Sequence, residues 1–233
     1  MKYSLITGGS SGLGYELAKK LAQLGKNIVI LGRDEKRLSD SVKKLKQLSE
    51  GIEVKGIQVD ISDLARVDTL FSDFKKENIE IEYLYNNAGK GFFGSVEELT
   101  EEDINSVMGS NLIGLINMTS RSVAHMKNTD QKCRIVNILS TAALSGKKNE
   151  TIYNAAKWGA KGFLEAVRDE VRGGNIEVLI FYPGGMNTPF WDNVHSGYDF
   201  STFMMAKDVA DEIVSASLND KILISDLVIN RRK

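Results

Sequence analysis

Tyr3-Ser4-Leu5-Ile6-Thr7-Gly8-Gly9-Ser10-Ser11-Gly12-Leu13-Gly14-Tyr15-Glu16-Leu17-Ala18-Lys19-Lys20-Leu21 passes from an apolar run through a glycine-rich turn into a helical pattern. Strand, turn and helix in that order put backbone N–H groups and a helix N-terminus where a pyrophosphate can dock. Gly8 allows the tight turn, Gly12 lets the backbone approach the phosphates, and Gly14 lets the helix sit close on a sheet; Ser10, Ser11 and Leu13 complete the loop. The spacing here is Gly-x-x-x-Gly-x-Gly, whereas the general dinucleotide fingerprint is Gly-x-Gly-x-x-Gly. Alone, a glycine turn before a helix is commonly only a connection.

Outward from this stretch, short apolar runs alternate with amphipathic ones to the end of the chain, the signature of repeated βαβ units. Strands are expected at residues 2–6, 27–31, 53–59, 83–85, 134–139, 177–182 and 222–229. Leu38, Val42, Leu45 and Leu48 repeat at helical spacing, as do Leu64, Val67, Leu70, Phe71 and Phe74, so each set lines one apolar face. The expected fold is α/β: a Rossmann-like, doubly wound, parallel seven-stranded sheet with helices on both faces. At 233 residues the chain fits one domain, 1–233. Helices at 101–127 and 152–172 carry apolar or small residues over more than one face, so a second subunit or a tight interior covers the outer side.

A net charge of -1 gives no general pull towards nucleic acid or anionic membrane, so neither is expected as a partner. Cys133 is the sole cysteine, which rules out an intrachain disulfide, and His125 and His195 are too few to suggest a metal site. The first apolar run reads directly into the Gly8 turn, and no run approaches membrane-spanning length. A cytoplasmic protein is the expectation.

In a doubly wound sheet the ligand lies where strand order reverses. The strand at 83–85 should form that point with the first, and it ends in Asn86-Asn87-Ala88-Gly89, suited to a backbone passing close to a ribose or to a plain turn. Tyr153 and Lys157 are four apart at the start of a helix, hence on one face, with the ammonium about 5 to 6 Å from the phenol. At that separation a positive charge favours the phenolate by about 3 kcal/mol at an effective dielectric near 20, enough to bring the phenol towards acid–base work near neutrality. A Tyr and a Lys so spaced also occur on helices by chance.

With these residues in hand the chain resembles the short-chain dehydrogenase/reductases over nearly its whole length. It carries Thr7-Gly8-x-x-x-Gly12-x-Gly14, Asn86-Asn87-Ala88-Gly89, Asn111, Ser140, Tyr153-x-x-x-Lys157 and Pro183-Gly184-x-x-x-Thr188 in the family's order. The resemblance implies an oxidoreductase that interconverts a carbonyl and its alcohol with a nicotinamide cofactor. It makes Tyr153 the proton donor to the carbonyl oxygen and Ser140 a hydrogen-bond partner of that oxygen. Lys157 would tune Tyr153 and hold the nicotinamide ribose, and Asn111, through a helix irregularity and a water, would link Lys157 to a proton relay. Asp60 and the backbone of Ile61 would meet adenine, Asn87, Ala88 and Gly89 the ribose, and Pro183, Gly184, Met186 and Thr188 the carboxamide. A non-catalytic protein that senses NADPH on the same fold is the alternative.

Two departures touch the substrate side. Thr188 and Ala206, where the next helix should begin, are only eighteen positions apart, and the C-terminus lacks the glycine-containing end common in the family. Phe92, Phe93, Leu144, Phe190, Trp191 and Phe203 flank the site as a partly aromatic pocket or as core. The second strand ends in Gly32-Arg33-Asp34. NAD-preferring relatives place an acid at that end to accept from the 2′-OH and repel a 2′-phosphate. Gly32 removes the repulsion, Arg33 offers a planar fork to the phosphate, and Asp34 caps a helix at 35–49. NADP(H) is therefore the expected cofactor, with NAD(H) as the alternative, and the two long helices predict a homodimer or homotetramer.

Overall fold

A computed structural model describes residues 1–192 and 199–232, so His195 lies outside the described residues. The strands are β1 (Lys2–Thr7), β2 (Ile28–Gly32), β3 (Val54–Gln58), β4 (Glu80–Asn86), β5 (Cys133–Ile138), β6 (Ile176–Pro183), β7 (Met186–Asn187), β8 (Met204–Met205) and β9 (Asp226–Ile229). Seven of them form one sheet in the order β3-β2-β1-β4-β5-β6-β9, parallel at every pairing, while β7 and β8 pair apart from it. A parallel sheet is covered on both faces, so its inner strands are apolar without alternation, while the edge strands β3 and β9 alternate. All six residues of β5 and five of the six in β1 are buried accordingly.

The helices are α1 (Gly12–Gln23), α2 (Glu35–Lys46), α3 (Leu64–Lys76), α4 (Glu101–Met108), α5 (Gly114–Met126), α6 (Thr151–Glu170) and α7 (Ala206–Ser217). Helices α1, α2 and α7 bury Leu17, Leu38 and Ile213 against Ile6, Ile30 and Phe181 on one face. Helices α3, α5 and α6 bury Phe74, Met118 and Leu164 against Leu5, Leu84 and Ile135 on the other. Each such side chain contributes about 1.5 to 3 kcal/mol. The Phe74 ring is 1% exposed, and its truncation to Ala would cost about 3 to 5 kcal/mol.

Four boundaries differ most from expectation, the first being β4, which begins at Glu80 rather than at residue 83. The helix expected at 101–127 is interrupted by a π-helical turn, Gly109–Ile113, between α4 and α5. Helix α2 stops at Lys46. The last strand begins only at Asp226, because Ile180 is the first β6 residue paired with it, and Ile222 and Leu223 stay outside at 62% and 54% exposure. Strand order reverses between β1 and β4, which brings their C-terminal ends together at the head of a cleft.

Candidate active site

Beyond Thr7 the chain turns through Gly8 and Gly12, whose φ values of 65° and 53° are left-handed, a region open to glycine at no steric cost. At Gly14 the reason is space, since a Cβ there would lie 2.2 Å from the Gly8 carbonyl oxygen. Ser11 stands at the N-cap of α1 and makes no side-chain capping bond, so it leaves the first amides of the helix uncapped. Ser10, Ser11, Gly12 and Leu13 line the cleft.

The turn is tied to the end of β4 through Thr7, which the sequence reading quoted but gave no role. Its Oγ1 accepts from the Asn87 N–H at 2.9 Å and the Ala88 N–H at 3.0 Å, while the Asn87 side-chain amide donates to the Thr7 carbonyl at 3.0 Å. Asn87, Ala88 and Gly89 are thereby held against the glycine turn.

At one end of the cleft Arg33 faces Asp60, with Nη1 to Oδ2 at 3.9 Å and both side chains about half exposed. Asp34 caps α2 as expected, accepting from the Arg37 N–H at 2.9 Å. Asp60 also accepts from the Ser62 N–H and Oγ at 3.0 and 2.7 Å. Burial works to raise the Asp60 carboxyl, but those hydrogen bonds and the charges of Arg33 and Lys90 outweigh it and hold the group below its ordinary value. Two residues escaped the sequence reading here. Asn117 donates to the Ile61 carbonyl at 3.0 Å, fixing that loop to α5, and the Lys90 ammonium donates to Ser106 Oγ at 2.8 Å beside Arg33 and Asp60.

At the other end Lys157, 4% exposed, donates to the Ile138 carbonyl at 3.2 Å and stands 5.6 Å from the centre of the Tyr153 ring. The spacing of four placed them together as expected. Its electrostatic consequence differs, because burial dominates the ion–phenol attraction. Burial pushes the Tyr153 phenol above its ordinary value, offset in part by hydrogen bonding to Ser140, and pulls the Lys157 ammonium down to about 8. Four residues of spacing fix a distance but not a degree of desolvation, and desolvation disfavours both charged forms.

Asn111 sits in the π-helical turn, and its side-chain amide donates to the carbonyls of Lys90 at 2.7 Å and Val107 at 2.9 Å. Its Oδ1 is buried without a partner, an acceptor suited to a water or ligand donor. That atom would lie 2.6 Å from a Cβ at Gly89, with Lys157 Nζ 3.8 Å from the same point. Gly89, Asn111 and Lys157 thus converge on one spot.

Facing Tyr153 are Phe93 and Phe190, with ring centres 5.8 and 6.0 Å from its own, and Trp191 packs on Phe93 at 4.7 Å. Trp191 Nε1 donates to the Met186 carbonyl at 3.0 Å, and Thr188 closes over Gly12, whose Cβ would meet its Cβ at 3.4 Å. Of the six flanking residues named from sequence, Phe93, Phe190, Trp191 and Phe203 line the cleft. The cleft, about 970 Å³, runs from Arg33 past Ser140 and Tyr153 to Pro183, Gly184, Met186 and Trp191. Backbone amides at a helix start, a side-chain-free wall at Gly89 and the orphan Asn111 oxygen suit a dinucleotide along its length.

The chain is similar to known proteins over most of its length. Residues 2–199 match the family described as short chain dehydrogenase. Over 232 residues the chain is 31% identical to the sepiapterin reductase of Chlorobaculum tepidum, spanning 97% of this chain and 94% of that protein. A short-chain dehydrogenase/reductase from Vibrio parahaemolyticus superposes with a TM-score of 0.84 at 35% identity, covering 98% of this chain and 96% of that one. Another, from Burkholderia phymatum in complex with NAD, superposes at 0.86 with 26% identity, covering 97% and 88%. Sheet order, glycine turn and the match over most of the chain agree: this protein belongs to the short-chain dehydrogenase family of NAD(P)-binding oxidoreductases.

Proposed function

We propose that the protein interconverts a ketone or aldehyde with its alcohol, preferring NADP(H), with Tyr153 as proton donor in reduction and acceptor in oxidation. The observation that carries this reading is the meeting of Ser140, Tyr153, Lys157 and Asn111 in one cleft with the glycine turn. NADPH, when bound, supplies the hydride. Tyr153 gives its proton to the carbonyl oxygen, and the raised phenol keeps that proton in place through neutral pH. Ser140 hydrogen-bonds the same oxygen and polarises the carbonyl. Lys157 and Asn111 stand where a ribose hydroxyl and a relay water can be held beside Gly89, and Asp60, Ile61 and Arg33 where adenine and a 2′-phosphate would lie.

Phe93, Phe190 and Trp191 support a flat or apolar substrate against Tyr153. Aromatic ketones, aliphatic ketones, aldehydes, quinones and sepiapterin, the last because of the kinship noted above, make a panel to be followed by loss of NADPH absorbance. Turnover is expected for at least one member. None with any member would sink the reading.

The outer face of α6 exposes Ala155, Trp158, Gly159 and Gly162 beside Ile104 and Ile113 on the neighbouring helix. This supports a homodimer or homotetramer built on these helices. Light scattering at micromolar concentration should show it, and a lone monomer would count against it.

A further inference from the structure

We propose that Arg231 is a positioning residue for the substrate wall: its guanidinium, carried to the cleft by the end of β9, clasps the segment that bears Phe203 and so holds the aromatic rings that face Tyr153. This rests on the reading of those rings as the substrate side of the cleft.

The sheet brings the chain end to this place. Strand β9 runs parallel to β6 with Ile229 beside Pro183, and the Gly184 N–H donates to the Ile229 carbonyl at 2.9 Å. Asn230 and Arg231 therefore leave the ladder at the cleft, which both of them line. Arg231 Nη1 donates to the Thr202 hydroxyl and, at 3.4 Å, to the Thr202 carbonyl. The hydroxyl donates onward to the Asp199 carbonyl at 2.9 Å. The Asp199 carboxylate, near enough to feel the Arg231 charge, accepts from the Ser201 N–H and hydroxyl at 3.0 and 2.6 Å. One guanidinium thus grips a short turn, Phe200–Thr202, that is already closed on itself. Its charge strengthens both bonds to Thr202.

Past the turn the chain is held a second time. The Met204 N–H donates to the Gly185 carbonyl at 3.1 Å, and Met204 and Met205 pair with Met186 and Asn187 as β8 on β7. Between the two anchors stands Phe203, its ring against the bare backbone of Gly185, where a Cβ would meet it at 2.9 Å. From Phe203 the rings lead inward. Trp191 lies 5.5 Å from it, Phe93 4.7 Å from Trp191, and Tyr153 5.8 Å from Phe93. Phe200, on the gripped turn itself, packs on Trp191 at 5.6 Å. Two residues of ladder fix a backbone weakly, and ring edges slide over one another unless the chain carrying them is held. Arg231 supplies the second hold. Releasing it loosens Phe200, Phe203 and Trp191 while Ser140, Lys157 and the glycine turn keep their places. From sequence alone Arg231 belongs to a basic chain end, Asn230-Arg231-Arg232-Lys233, of the kind that solvent usually covers.

The test uses the full-length protein as wild type, R231A and R231K, with NADPH and the bulkiest and smallest panel members that wild type turns over. R231A should raise KM for the bulky member by roughly three- to tenfold, the size expected of one exposed charge-assisted clasp, with kcat and the NADPH Kd unchanged. The small member, which does not reach the wall, should be nearly unaffected. R231K keeps the charge and should recover part of the loss. Tryptophan emission reads the wall without turnover: Trp158 is 49% exposed on the outer face of α6 and gives a constant background, so R231A should shift the spectrum to the red through Trp191. An unmoved KM for the bulky member, or an unmoved emission, would overturn the proposal. Equal losses for both substrates with weaker NADPH binding would also overturn it and leave Arg231 a merely structural residue. Failure of the parent reading looks different: wild type would turn over nothing in the panel, and the emission of R231A would still decide whether Arg231 holds the wall.

Discussion

The two ends of the cleft carry the same kinds of group under opposite conditions. At the open end Arg33 and Asp60 stand 3.9 Å apart with side chains 53% and 48% exposed, where water and salt screen them. At the other end Lys157 is 4% exposed beside Tyr153, and burial alone pulls its ammonium down to about 8. A charge at the open end is screened by solvent, whereas at the closed end burial sets which protonation state is favoured.

The sharpest way to break this contrast is Tyr153→Phe, which deletes one proton donor and keeps the ring. Turnover should fall about 10² to 10⁴-fold with NADPH affinity nearly unchanged. Retention of more than about a tenth of wild-type kcat with a good substrate would show that Tyr153 is not the proton donor.

Lys157 comes next, through activity and stability together. Lys157→Met should lower kcat and weaken cofactor binding, yet raise the melting temperature at neutral pH, because a buried ammonium is costly. The native ammonium titrates near 8 against an ordinary value of 10.5, so between those limits the unfolded chain holds more protons and wild-type stability rises with pH. The thermal advantage of Lys157→Met is therefore full below about pH 8 and shrinks towards pH 10.5. An advantage that stays constant across that window would mean the ammonium is not strained by burial.

The smallest effect belongs to the open end. A charge-assisted contact of about 1.5 to 3 kcal/mol gives Arg33 roughly a ten- to hundredfold preference for NADPH over NADH in kcat/KM. Arg33→Ala should erase most of it. Gly32→Asp should reverse it, provided that Ser10 Oγ, 3.2 Å from the new Cβ, gives way slightly. The preference should also fade with added salt, whereas the Tyr153→Phe defect should not. Equal or better use of NADH by wild type would remove Arg33 from this role.

What the sequence made legible follows the same division. Apolar runs mark the inner strands because both faces of a parallel sheet are covered, whereas the edge strands β3 and β9 alternate in burial and were readable as half-buried strands. Residues 222–225 misled because apolar character alone does not confer a partner; pairing waits for Asp226 beside Ile180. Strands β7 and β8 are two residues each, too short to show a period. The site residues are recognisable by identity and spacing, and all of them but Gly14 line the cleft. Desolvation is not written in spacing, which is why Tyr153 and Lys157 met as expected while burial set the direction of both titrations. Lys90 and Asn117 act through neighbours distant in the chain, and no local pattern distinguishes them.

Thr7 carries a further consequence. One buried hydroxyl receives two successive amides, Asn87 and Ala88, just past the last paired residues of β4. Those amides lie beyond the ladder, where exchange with solvent is ordinarily fast, yet they can open only if the half-sheet begun by β1 parts from the half begun by β4. Their hydrogen exchange should track global unfolding rather than local fraying. Both walls of the cleft head then move as one body, and a ligand seated between them finds its pocket already formed, with little ordering left to oppose its binding.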